Sequence, residues 1–423
     1  MARVLYLTHN GITDHIGQSQ IAPYCLGLAA LGHEIHIVSA EKPGREALKQ
    51  RYRNLFDAAN IRWSFVTYHN RPPLVSQLYD IVRMRRLALR IARRFRPQLV
   101  HCRSYLPIPI GVAIKQRFGS KLLIDFRHFF VEAGLVDSPY KFVYRGFKRR
   151  EAGYFAAADH VVTLTRRAAE ILNGWYPSKE GMGRFTVIPC CADFSHFDLA
   201  KVPDSEVARI RRTVGLAESD LVLLYLGSIG PDYLLTEMMK LFRELLALKP
   251  EAKFLFVSNN GLDRVTQVRE EFGIEAEAVR FVNAPRDDIP AYLAITDFSV
   301  FFYRPDLSRA GCSPTKLAEL LAANVPVIAN TGVGDLDAIL SPERNCSVVV
   351  RDFEPETLRL ALERILSIPA ERRLRIRGNS QDYTLESGVE RYASIYGELV
   401  PGTPAAEPRP ARAAPRSVRP HHA

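Results

Sequence analysis

A chain of 423 residues is longer than one ordinary hydrophobic core organises, so two domains of about 200 residues are expected. Hydrophobic residues at 47% and charged residues at 24% exclude a disordered chain, and no apolar run approaches the roughly 18 residues of a membrane span. The balance of 57 Lys+Arg against 46 Asp+Glu gives a net charge of +11, which suits anionic partners without choosing among phosphorylated ligands, lipid surfaces and nucleic acid.

In chain order, short apolar runs alternate with helical stretches. Val4–Thr8 predicts a buried strand; a loop from Asn10 to Gln20 and a helix over Ile21–Leu31 follow, and Gly32-His33-Glu34 ends that helix before a second run at Ile35–Ser39. Further runs come at Leu99–Cys102, Leu122–Asp125, His160–Leu164 and Thr186–Pro189. The pattern then restarts with Leu221–Leu226, Lys253–Val257, Ala278–Phe281, Phe298–Phe302, Val325–Ala329 and Cys346–Val350. Strands separated by crossover helices predict α/β architecture with parallel sheets covered on both faces. The polar stretch Asp198–Asp220, with one basic helix over Ser205–Val214, marks the boundary. Two doubly wound, Rossmann-like halves facing a cleft are expected, over residues 1–200 and 201–385. A helix over 386–400 is expected to return towards the first half, and the tail 401–423, rich in Pro, Ala and Arg, to be disordered.

The six cysteines lack any CxxC or Cys/His spacing, so no metal is expected and the thiols suit a reducing compartment. The N-terminus reads as a strand and not as a signal peptide, which predicts a cytoplasmic protein.

Four segments could carry chemistry. Ser313-Pro314-Thr315 predicts a helix start over a strand-proximal loop, with Ser313 as N-cap and Pro314 where no N–H is needed. Free N–H groups and the dipole there suit a diphosphate; Lys316 adds charge, and Glu319, three residues on, shares its face. Spacing alone favours a capped surface helix with an ordinary Lys–Glu pair, because such pairs are common. Gly332-Val333-Gly334 follows a strand, so its backbone N–H groups either approach a ligand or form a plain turn. Gly17, Gln18 and Ser19 sit at the entry of the first helix, without a dinucleotide fingerprint. Asp125, Arg127, His128 and Glu132 end a buried strand, where charged groups point to a ligand or brace a loop as a local ion pair; His101 and Arg103 end another strand.

The ordered set of segments resembles glycosyltransferase family 4, the retaining enzymes of the GT-B fold, over about residues 3–400. Ser313 to Ala329 resembles the donor-binding segment, Leu226-Gly227-Ser228-Ile229-Gly230 the first strand-turn of the C-terminal domain, and Val187 to Asp193 with Phe197 the linker strand. Ala158 to Thr165 and Gly32-His33-Glu34-Ile35 resemble further N-domain segments. The resemblance implies sugar transfer from a nucleotide-sugar donor, with Gly17, Gln18, Gly227, Ser228, Ser313, Pro314, Thr315, Lys316, Glu319 and Gly334 binding the donor. It implies Asp125, Arg127, His128, Lys316 and Glu319 as catalytic residues, because an Asp-x-Arg…Glu pattern occurs in a subgroup that builds cell-surface polysaccharides. No cofactor or dedicated metal is implied. Two departures stand out: Gly311 occupies the position of the family's first Glu, and Pro231-Asp232-Tyr233 replaces the cation expected after Gly230, leaving Arg304 or Arg309 as substitutes or as solvated loop residues. A nucleotide-sugar epimerase of the same fold and a non-catalytic GT-B-like partner subunit are the alternatives.

The expected acceptor is a carbohydrate or lipid-linked molecule. Two basic helices, one with Arg83, Arg85, Arg86, Arg90, Arg93, Arg94 and Arg96 and one with Lys141, Arg145, Lys148, Arg149 and Arg150, suggest an anionic membrane surface and a peripheral place on its inner face; a solvated helix face is the plainer reading. No nucleic-acid recognition pattern accompanies them.

Overall fold

The structure is a computed structural model that describes residues 1–401. The expected tail beyond Pro401 lies outside the described residues.

Seven parallel strands form the first sheet: β1 (Arg3–Thr8), β2 (Glu34–Glu41), β3 (Arg62–Thr67), β4 (Leu99–Arg103), β5 (Lys121–Phe126), β6 (His160–Thr163) and β7 (Phe185–Val187), in the order β3-β2-β1-β4-β5-β6-β7. Six form the second: β8 (Val222–Leu226), β9 (Lys253–Val257), β10 (Val279–Val282), β11 (Phe298–Phe301), β12 (Val327–Asn330) and β13 (Val348–Val350), in the order β10-β9-β8-β11-β12-β13. Both orders are doubly wound: the direction of strand addition reverses between β1 and β4 in one and between β8 and β11 in the other. The expected pair of Rossmann-like parallel sheets is therefore what the chain forms.

The inner strands are buried at nearly every position, which is why they read as unbroken apolar runs. Phe254 and Phe256 of β9 pack with ring centroids 4.1 Å apart, and each ring withdrawn from water contributes roughly 2–3 kcal/mol. β3 was not anticipated. It is an edge strand with one buried residue, Val66, so Arg62–Thr67 presents no apolar run to read. The first helix also differs from expectation: a turn and a half, His15–Gln20, precedes Ala22–Ala30, and the break falls at Ile21 (φ −125°).

Two compact units can be described. One comprises Met1–Asp125, Ala157–His160 and the described residues from Val389 on; the other comprises Phe126–Ala156 and Val161–Gly388. In the first, the helix Leu385–Leu399 contributes Tyr392, whose ring meets Tyr24 at 5.7 Å, and Tyr396, whose hydroxyl is 2.7 Å from His101 Nδ1. Among the described residues no helix is long and apolar enough to cross a membrane. All six cysteines are free.

Candidate active site

In the second unit the carboxyl ends of β8 and β11 flank the point where strand order reverses, the place where open parallel sheets hold ligands. Gly227 follows β8 with φ +115°, a conformation that glycine alone adopts without strain. A Cβ there would lie 3.2 Å from Nζ of Lys316, so the lysine ends directly beneath this turn. Lys316 is 8% exposed, and its Nζ has no hydrogen-bond partner among the described residues. Instead it sits in an aromatic cage, 4.3 Å from the Tyr225 ring centroid, 4.4 Å from Tyr233, 5.8 Å from Phe301 and 6.0 Å from Tyr303. Burial drives its pKa down from 10.5 to about 7, partly opposed by the Glu319 carboxylate. An ammonium with three unused donors at this position is built to meet an anion.

Lys316 is delivered by the helix Thr315–Ala322, every described turn of which is buried from Lys316 to Ala322. The N–H groups of Thr315 and Lys316 have no partner among the described residues, while Leu317 N–H bonds Pro314 O at 3.0 Å. Ser313 does not cap this helix, contrary to expectation. Pro314 is extended (φ −64°, ψ 122°) and takes the cap position, which leaves Ser313 one residue too far out; its Oγ accepts the Cys190 N–H at 3.1 Å. Glu319 is 7% exposed and accepts from Arg286 Nη1 at 3.0 Å. Burial raises its pKa, and Arg286 holds it down against that. Arg286 in turn lies over the Phe197 ring at 5.7 Å. Neither Arg286 nor the aromatic cage was singled out from sequence. Arg286 sits on a short turn with no motif, and the four rings read as strand or loop apolars.

The two departures have physical explanations. Arg309 is not a solvated loop residue: it is largely buried, pairs with Asp232 through Nη2 and lies 5.9 Å from the Tyr303 ring. Asp232, from the turn that lacks the expected cation, thus draws Arg309 to that turn. Arg304 is half-exposed and pairs with Asp137 and Asp306. At Gly311 a Cβ would stand 3.3 Å from Phe129 Cδ2 and 3.5 Å from His128 Cα, so an aromatic ring fills the space into which a side chain would grow.

Gly334 (φ +52°) is a packing glycine: a Cβ would lie 2.1 Å from Cys312 O. Its N–H donates to Arg309 O at 2.8 Å and that of Gly332 to Asp337 Oδ2 at 3.2 Å, so these N–H groups serve the turn itself and not an incoming ligand. Ser228 is exposed, and its carbonyl accepts the Tyr225 hydroxyl at 2.7 Å. Arg127 Nη2 lies 3.4 Å from Cys190 Sγ, and His128 is exposed. Lys148, expected on a basic surface, belongs instead to an internal network with Glu132 and Glu151 at 2.7 Å each, under the Trp175 ring at 4.1 Å.

In the first unit, Gly17 and Gln18 lie on the short helix His15–Gln20. A Cβ at Gly17 would fall 2.0 Å from Gly11 O, and Gln18 Nε2 donates to Thr13 O at 3.0 Å. The loop before them is anchored by buried Glu41, which accepts from the N–H groups of Ile12 (2.6 Å) and Thr13 (3.2 Å) and from the Thr13 (2.7 Å) and Ser39 (2.6 Å) hydroxyls. Asp125, 1% exposed, lies 3.5 Å from His101 Nε2 and 4.0 Å from Arg103 Nε.

Comparison with known proteins agrees with this architecture. The family model for Glycosyltransferase Family 4 matches residues 21–196, and that for Glycosyl transferases group 1 matches residues 206–383. No curated protein matches the chain. Among solved structures, a glycosyltransferase from Rickettsia africae is similar with a TM-score of 0.71 at 16% identity, over 95% of this chain and 99% of that one. HepE of Anabaena in complex with UDP-glucose is similar at a TM-score of 0.66 and 14% identity, over 94% of this chain and 100% of that one. Sucrose-phosphate synthase from Thermosynechococcus elongatus is similar at a TM-score of 0.66 and 16% identity, over 94% and 99%. With the two family matches falling on the two sheets in order, the chain belongs to the glycosyltransferases of the GT-B fold.

Proposed function

We propose that this glycosyltransferase uses a nucleotide-sugar donor and transfers the sugar with retention of anomeric configuration, in the synthesis of a cell-surface polysaccharide or glycan. The observation that carries the donor assignment is Lys316, a buried cation with no hydrogen-bond partner among the described residues, beneath the Gly227 turn. In this reading the ammonium and the N–H groups of Thr315 and Lys316 stabilise charge growing on the departing diphosphate. Glu319, oriented by Arg286, accepts from ribose hydroxyls. The exposed Ser228 and the Gly227 backbone line the diphosphate's approach. Arg309, held by Asp232, supplies the second positive charge. Asp125, Arg127 and His128 are assigned to the acceptor side, and Gly17 and Gln18 keep the donor role that the resemblance implies. The complex of HepE with UDP-glucose makes UDP-sugars the first donors to try.

The test is incubation with labelled UDP-, GDP- and ADP-sugars and candidate glycan acceptors, with the anomeric configuration of the product read by NMR. Retained configuration in an acceptor-bound sugar is expected. An isomerised free donor would identify an epimerase instead, and absence of both turnover and nucleotide binding would identify a non-catalytic partner subunit.

Donor affinity should also depend on pH. The unliganded Lys316 ionises near pH 7, and only the ammonium attracts a diphosphate. As pH rises above about 7, binding must first protonate the amine, so the dissociation constant should rise by up to about tenfold per unit. Titration of a nucleoside diphosphate at pH 7 and pH 8.5 checks this; equal affinities would contradict it.

A membrane-facing role rests on the helix Val75–Phe95. Its outward face begins with Val75, Leu78, Tyr79 and Val82, exposed by 66%, 63%, 54% and 38%, and continues with arginines. Among the described residues none of Arg83, Arg85, Arg86, Arg90, Arg93, Arg94 and Arg96 forms an ion pair, and Asp80, the helix's acidic residue, is buried against His69. An apolar tip with an unpaired arginine shaft suits an anionic bilayer, each arginine contributing about 1 kcal/mol. We place the protein peripherally on the inner membrane face, where a lipid-linked acceptor would lie. It should sediment with phosphatidylglycerol-containing vesicles and not with phosphatidylcholine alone, and Leu78→Glu with Val82→Glu should abolish this; unchanged sedimentation would contradict the assignment.

A further inference from the structure

The first sheet has its own point of reversal, between β1 and β4, and its ligand crevice opens where those strands end. Their last residues, Thr8 and Arg103, are register partners, and Arg103 is in turn the partner of Asp125 on β5. Arg103 is 4% exposed, and its guanidinium makes no hydrogen bond among the described residues; Nε is fully enclosed. Its ion-pair partner among the described residues, Asp125 Oδ2, stands at 4.0 Å from Nε, beyond hydrogen-bond distance and nearer to His101 Nε2 at 3.5 Å.

Other enclosed arginines of this chain, even where Nε is also unbonded as in Arg184, bond backbone carbonyls through their Nη atoms. Arg184, 6% exposed, donates from Nη1 to Phe155 O and from Nη2 to Tyr176 O, each at 3.0 Å. Arg377 likewise reaches Ala322 O at 2.7 Å and Phe194 O at 2.8 Å. Arg103 has no such carbonyls. A guanidinium stays charged at any physiological pH, and enclosing one with its donors unused is costly unless something else supplies acceptors.

We propose that Arg103 forms an anion subsite in the crevice at the ends of β1 and β4, and that the acceptor of this enzyme carries a phosphate or carboxylate which the Arg103 fork binds. The planar fork matches the paired oxygens of either group. Asp125 on β5 faces the arginine at 4.0 Å and is itself contacted by His101 at 3.5 Å. The loop that follows Thr8, the register partner of Arg103, is anchored by Glu41 and so is set before a ligand arrives. The assignment of this anion to an acceptor rests on the transferase reading above; the binding of the anion does not.

The test uses the full chain saturated with UDP, so that the Lys316 site is filled. Inorganic phosphate, glucose 1-phosphate, glucuronate and farnesyl diphosphate are titrated into wild type, Arg103→Met and Arg103→Lys. Saturable binding of at least one anion is expected, weakened about 30-fold or more by Arg103→Met and partly kept by Arg103→Lys, with UDP affinity unchanged. Preference for farnesyl diphosphate, the sugar phosphate or the uronate identifies a lipid-linked, phosphorylated or acidic-sugar acceptor in turn. The absence of binding by all four, or equal binding by wild type and Arg103→Met, overturns the proposal. So does an Arg103→Met protein that melts lower and loses UDP affinity, since Arg103 would then be structural. Anion binding in a protein that fails to bind UDP sinks the donor reading and leaves this subsite standing.

Discussion

Lys316→Met should lower sugar transfer by about a thousandfold while making the unliganded protein more stable. The loss follows from removing the buried cation aimed at the proposed diphosphate position, where a single such donor is commonly worth 10²–10³ in rate, about 3–4 kcal/mol. The gain follows from the same burial. Lys316 has its pKa lowered from 10.5 to about 7, equivalent to roughly 5 kcal/mol against the charged form. Below pH 7, where both the folded and the unfolded lysine are charged, methionine should therefore gain on the order of 5 kcal/mol at most. The sign depends on pH. The unfolded lysine keeps its proton up to 10.5 and the folded one only to about 7, so wild-type stability is lowest at and below pH 7 and climbs between 7 and 10.5. The variant's advantage should therefore be full at pH 6.5 and mostly gone by pH 10. Thermal melts at the two pH values check it. A variant that melts below wild type at pH 6.5 would show that the cage stabilises the ammonium and that the site is not held open for an anion.

Gly334→Ala should be the most damaging small substitution in the same unit, costing about 3–5 kcal/mol. The new Cβ would stand 2.1 Å from Cys312 O and 2.9 Å from Thr165 Cγ2, and no rotamer relieves a backbone clash. Positive φ at a non-glycine residue adds about 1 kcal/mol. The damage should spread, because neighbouring groups are tied together. Thr165 Oγ1 donates to Ala310 O at 2.7 Å, and Asp335 accepts the N–H groups of Arg166 at 2.6 Å and Arg167 at 3.1 Å at the start of the helix Arg166–Trp175. Gly332→Ala is the control. Its Cβ would meet Pro305 Cβ at 3.2 Å, so it should cost about 1 kcal/mol. Urea midpoints for the two variants check the difference; equal midpoints would mean that the turn relaxes away from Cys312.

Legibility in the sequence tracked burial. Strands such as Val222–Leu226 are enclosed on both faces and appear as apolar runs, whereas Arg62–Thr67 is an exposed edge and does not. Lys316 and Glu319 were readable because they sit three apart at a helix start that resembles a known segment. Their partners were not. Arg286 comes from a turn 33 residues away in sequence, and Tyr225, Tyr233 and Tyr303 converge only once β8 and β11 are neighbours. Glycines were readable as special positions but not in purpose. At Gly334 and Gly17 the small residue answers a carbonyl oxygen of the chain itself. Ser313 looked like a cap, yet its hydroxyl is taken by the Cys190 N–H, a pairing between residues 123 positions apart that no local pattern encodes. The missing Glu at Gly311 becomes intelligible only with Phe129 beside it.

Isothermal titration of UDP, GDP and ADP into wild type and Lys316→Met at pH 7 reads whether Lys316 binds the donor diphosphate. One nucleotide should bind wild type with a 1:1 stoichiometry and bind the variant at least about 100-fold more weakly. Equal affinity in the two proteins, both folded by their melting curves, would contradict the account.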